Sequence, residues 1–119
     1  SPAEVLNVYA FARFAQDPDA TPESVLRDFS AMLVPQAGVE ALVEVLAFIE
    51  NHSSWEGGMP ETHRLPPLVT PLADIAAARA HLATVTPRPT ATMPMPEAPA
   101  EYLKRLDDRL VYLTRQGAS

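Results

Sequence analysis

No cysteine occurs among the 119 residues, which excludes disulfide staples, thiolate zinc sites and a cysteine nucleophile without fixing a compartment. Cations are scarce too, nine Lys and Arg against fifteen Asp and Glu. With a net charge of −6, a pI near 4.9 and no basic cluster, the composition argues against nucleic acid as a partner. No apolar run approaches the roughly 20 residues that span a bilayer, and no signal-peptide pattern is present, so no membrane association is expected. Also missing are a glycine-rich phosphate loop, a His-Glu-x-x-His pair and a Gly-x-Ser-x-Gly elbow.

What is present is globular: 47% hydrophobic and 20% charged residues on a chain long enough for one core. Charge is uneven. Residues 1–61 carry ten acids against Arg13 and Arg27, whereas residues 62–119 carry seven bases against five acids. Such halves attract each other or a partner, or the acidic one is a solvated face.

Apolar spacing of three and four predicts an all-α fold, about five helices in an irregular up-down bundle with a long Trp-containing loop and a Pro-rich strap. The first helix spans about Pro2–Gln16, from a Ser1-Pro2-Ala3-Glu4 start to Asp17-Pro18-Asp19, where proline halts it. Its polar residues Glu4, Asn7, Arg13 and Gln16 do not share one side, so the helix is expected to want burial nearly all round. A start already inside a helix suggests a piece of a longer protein. The second helix, about 22–33, opens on Thr21-Pro22-Glu23 and turns Val25, Leu26, Phe29, Met32 and Leu33 inward, with Arg27, Asp28 and Ser30 outside. The third begins near Pro35 or Val39 and reaches about Asn51, placing Val39, Leu42, Val43, Leu46 and Ile49 inward and Glu40 and Glu44 outward.

Residues 53–70 contain two adjacent glycines and three prolines and cannot be regular structure. Trp55, Met59, Leu65 and Leu68 there are expected to cover one end of the bundle, a neighbouring domain or a sugar face. Thr70-Pro71 predicts the start of a fourth helix running to about Thr84, with Arg79 and His81 facing solvent. The Pro-rich connector 86–99 favours extended geometry and reads as a strap across the bundle or a ligand for an SH3-like groove. A fifth helix, about Pro99–Arg115, turns Tyr102, Leu103, Leu106, Leu110 and Leu113 to one side.

Candidate chemistry is thin. His52, His63 and His81 lie on different elements, so neither a metal nor a cofactor is expected. Glu56 and Glu61 share the long loop, but paired carboxylates need a walled cleft to act as acid and base. Asn7 reads as a core amide or a site residue. The expectation is that these residues themselves do not catalyse.

Two stretches carry a resemblance. Asn7-x-Tyr9-x-Phe11-x-Arg13, then Asp17-Pro18-Asp19-Ala20 and Glu23-Ser24-Val25-Leu26-Arg27-Asp28-Phe29, resembles the helical region that follows the (β/α)₈ barrel in α-glucuronidase-type sugar hydrolases. Phe48-Ile49-Glu50-Asn51-His52-Ser53-Ser54-Trp55 resembles the end of the corresponding helix beyond the barrel of bacterial β-N-acetylglucosaminidases. The likeness covers about residues 5–55. It implies a non-catalytic accessory domain of a glycoside hydrolase, packed on a catalytic barrel of the same parent chain or on a second copy, with carbohydrate nearby. The expected contact residues are Asn7, Tyr9, Trp55, Glu56, His63 and Arg64. The alternative is a helical interaction or dimerisation module unrelated to sugars.

Overall fold

The structure is a computed structural model that describes residues 2–52 and 70–117. Five helices make an all-α globule, with no strand among the described residues: α1 (Pro2–Gln16), α2 (Pro22–Leu33), α3 (Gln36–His52), α4 (Ile75–Ala83) and α5 (Pro99–Arg115). Each packs against its neighbour in sequence, α5 returns to α1, and their buried faces share one core. The closing contact is specific: the buried Tyr102 hydroxyl donates to the Pro2 carbonyl at 3.1 Å.

Local chemistry explains the boundaries. Thr21 and Ser24 form a reciprocal capping box at the start of α2, behind Pro22. At its other end, all four terminal carbonyls that lack helical partners are satisfied. Val34 N–H bonds to Ser30 at 3.0 Å, Arg88 N–H to Leu33 at 2.7 Å and Thr92 N–H to Met32 at 3.2 Å, while Arg88 Nε donates to Ala31 at 3.1 Å. The Pro-rich connector therefore works as a C-terminal cap for α2, and the Arg88 cation sits where the helix dipole favours it.

The centre of the fold is α3. Val45, Leu46, Ala47, Phe48 and Ile49 are all buried, so this helix is enclosed on every side through more than one turn. Val43, expected inward, is instead half-buried and packs against the core from its edge. Glu44, expected outward, is half-buried because His81 Nε2 of α4 meets its Oε2 at 2.7 Å.

Two further expectations are corrected. The fourth helix starts at Ile75, not at Thr70-Pro71, because Asp74 is the residue whose side chain accepts from an N–H of the first turn, that of Ala77 at 2.8 Å. Thr70 instead ties the incoming chain to α3, donating to the Glu44 carbonyl at 3.2 Å. Ser30, expected outside with Arg27 and Asp28, is fully buried, and its hydroxyl has no hydrogen-bond partner among the described residues. A buried orphan hydroxyl is destabilising. Ser30→Ala removes it and is expected to raise stability by about 1 kcal/mol, a rise in Tm of roughly 3–6 °C by differential scanning calorimetry.

Candidate functional site

The exposed surface departs from a polar coat on α1. Leu6 and Ala10 face the core at 1% and 5% exposure, while on the opposite side Val8 and Phe11 stand 71% and 73% exposed. At 100° per residue, Val8, Phe11, Ala12 and Ala15 fall within an arc of about 100°, and all four are exposed. They form a continuous apolar stripe. Its far end is acidic: Asp17 and Asp19 are exposed, and Asp17 Oδ1 accepts from Asp19 N–H at 3.1 Å.

The inner face of α1 is held firmly enough to present this stripe. Tyr9 tilts at 46° against Phe29 of α2, ring centres 5.4 Å apart, and Phe29 meets Tyr102 of α5 edge-on at 5.5 Å. Arg13 Nη1 donates to Asp28 Oδ2 at 2.6 Å and to Tyr9 Oη at 3.4 Å. Hydrogen bonding to Asp28 is the main reason that the Arg13 pKa is raised.

Of the expected contact residues, Asn7 and Tyr9 lie off the stripe. Tyr9 turns inward and packs on the core, and Asn7 is half-buried at the edge of α1. Trp55, Glu56, His63 and Arg64 lie outside the described residues, as do Met59, Glu61, Leu65 and Leu68. The structure does not bring Asn7 and Tyr9 into one open site. Val8, Ala12 and Ala15 were not singled out as contact residues, although the absence of a single polar side on the first helix was the signal.

The remaining chemistry is structural. His52 stacks on Phe48, ring centres 4.2 Å apart, with its Nδ1 2.9 Å from the Phe48 carbonyl, and His81 meets Glu44. No group of three potential metal ligands occurs among the described residues. An open groove of about 530 Å³ runs between α4 and α5 over Leu82, Val85 and Leu103, with Arg79, Lys104 and Asp107 at its rim. Arg79 holds Asp107 through two bonds of 2.8 and 3.0 Å, and that contact keeps the Asp107 carboxyl below its ordinary pKa. A carboxylate locked in this way is a poor proton donor.

Glu50 on α3 behaves oppositely. Half-buried, it has its pKa raised by desolvation, and its charge, with that of Glu97, adds to the effect of burial in raising the Tyr102 pKa. Glu97 is itself bonded to Arg105 at 2.9 Å. Because the Glu50 folded-state pKa lies above its unfolded value, its stabilising contribution is complete below about pH 4.5 and is lost as pH rises through the folded pKa. Glu50→Gln is expected to raise the denaturant midpoint at pH 7 and leave it unchanged at pH 4. The Asp107 contribution runs the other way and is lost only as pH falls below about 3.8.

The fold and surface thus define a class, an all-α bundle with an uncovered apolar helix flank and no helix long and apolar enough to cross a membrane among the described residues. Compared with known proteins, the chain matches no family model, no curated protein and no solved structure.

Proposed function

We propose that the chain is a non-catalytic helical accessory domain that works by docking through the exposed flank of α1. The body it docks on belongs to a carbohydrate-active enzyme, as the catalytic barrel of the same parent chain or as a second copy of this chain. One observation supports the docking most directly: Val8 and Phe11 are more than two-thirds exposed on a helix whose opposite face is buried. Large apolar side chains gathered on one exposed face are a mark of interaction sites. The carbohydrate assignment rests on the resemblance carried by residues 5–55. The accessory role fits the polar groups, since Asp107, Asp28 and Glu97 are each committed to an arginine.

The test is a photo-cross-linker, benzoylphenylalanine, placed at position 11 of the parent protein in its own host. Adducts with barrel peptides or with a second copy of the chain are expected, and the isolated chain is expected not to hydrolyse aryl glycosides. Adducts with a protein unrelated to carbohydrate turn the reading to a general interaction module, and no adduct at all removes docking through α1.

A further inference from the structure

We propose that Met95 is an oxidation site, a thioether latch that holds the strap from Thr92 to Glu97 on the bundle and releases it when a peroxide-class oxidant converts it to the sulfoxide. The sequence prepares this segment for one-sided contact. Met93 and Met95 each precede a proline, which biases their backbone toward extended geometry, and in an extended chain alternate side chains share a side. The structure shows that alternation. Met93, Met95 and Glu97 are half-buried, while Thr92, Pro94, Pro96 and Ala98 are exposed.

Side chains, not the backbone, fasten the segment. The backbone of residues 93–97 makes no hydrogen bond to a described residue, and the last backbone tie before it is Thr92 N–H to the Met32 carbonyl at 3.2 Å. Beyond that bond, Met95 packs against the core and Glu97 pairs with Arg105 at 2.9 Å. Arg105 is 54% exposed, so that pair contributes little in water. Upstream the strap is held more firmly, since Arg88 makes two bonds to α2 and Ala91 packs on the core. Because the prolines already restrict the free chain, docking residues 93–97 costs little entropy, and one packed side chain is enough to hold them.

A half-buried thioether is open to a small oxidant on one side and packed on the other. The Met95 sulfur attacks one oxygen of hydrogen peroxide, the O–O bond breaks, and the sulfur gives up two electrons. The proton on the transferred oxygen passes to the departing hydroxide, which leaves as water. What remains is a polar sulfoxide where a flexible apolar group packed on the core. No thiol is present to react first. Release opens the Met32 carbonyl at the end of α2, while Val34 and Arg88 keep the carbonyls of Ser30, Ala31 and Leu33 bonded.

A chain carrying Met32→Leu, Met59→Leu and Met93→Leu keeps Met95 as its one thioether, and such exchanges are well tolerated. Treated with hydrogen peroxide, it is expected to gain one oxygen by mass spectrometry. The Thr92 amide is then expected to exchange at least about tenfold faster, with a smaller change at Arg88 and none in residues 42–49 of α3. Methionine sulfoxide reductases A and B, one for each epimer, are expected to restore the slow rate. A chain carrying Met32→Leu and Met95→Leu, oxidised at Met93, is expected to keep the Thr92 amide slow. The unsubstituted chain, oxidised and mapped peptide by peptide, gives the same readings if the substitutions disturb the fold. A Met95 sulfur that stays unreacted while Met93 is fully converted overturns the site. Oxidation at Met95 that leaves Thr92 slow overturns the latch, and loss of protection in α3 together with Thr92 overturns a release confined to the strap.

Discussion

Phe29→Ala is expected to cost about 3–5 kcal/mol, the full range for deleting a buried phenylalanine and leaving its cavity. Phe29 is completely buried at the point where three helices meet, with Tyr9 of α1 on one side and Tyr102 of α5 on the other. Removing the ring deletes both aromatic contacts, each worth about 0.5–1.5 kcal/mol beyond area burial. It also leaves Tyr102 without the wall that positions its bond to Pro2. Against a total stability of about 5–15 kcal/mol for a domain of ordinary size, such a loss leaves a large unfolded fraction. Urea unfolding followed by far-UV circular dichroism measures it, and Phe29→Leu, which keeps most of the volume, serves as the control. A loss below about 1 kcal/mol for Phe29→Ala is outside the range for a filled core position and rules out this packing.

The same junction explains what was legible in the chain. The helix class, the bounds of α1, α2 and α5, and the buried side of α5 follow from spacing, proline placement and capping residues, which are local signals. Thr70-Pro71 carried the same local signal as Thr21-Pro22 and misled, because the choice between two possible caps four residues apart was made by the tertiary bond from Thr70 to α3. Ser30 misled for a related reason. Its hydroxyl marks it as a surface residue, but α2 is covered by α1, by α3 and by the connector that Arg88 and Thr92 fasten to its end. Val45 and Phe48 escaped the stripe assigned to the third helix because a helix surrounded on all sides has no single apolar face to read. The candidate surface was visible in outline, as a first helix with apolar residues on more than one side. Which of those residues stayed uncovered was not, since that depends on how the Tyr9 and Leu6 side fits between Phe29 and Tyr102.

Leu6→Ala is expected to destabilise α1 by about 2–5 kcal/mol and to do so selectively. Leu6 and Ala10 are the only residues of α1 that are fully buried among those described, so the helix hangs on a short apolar seam. Its further ties include Val5 packed at the edge of the core, the Tyr9 ring contact, the Tyr102 bond to Pro2 and the Arg13–Asp28 pair. That ion pair is partly exposed and contributes little in water. Once the Leu6 side chain is lost, the opening free energy of α1 falls below that of the enclosed α3, and the helix detaches as a local unit before the rest unfolds. Hydrogen exchange is expected to show amides of residues 6–16 approaching unprotected rates while those of 42–49 stay slow. Phe11→Ser is expected to leave α1 protected, since its side chain points away from the seam. Uniform loss of protection across α1 and α3 in Leu6→Ala shows instead that the first helix is integral to the core, and the flank is then as rigid as the bundle itself.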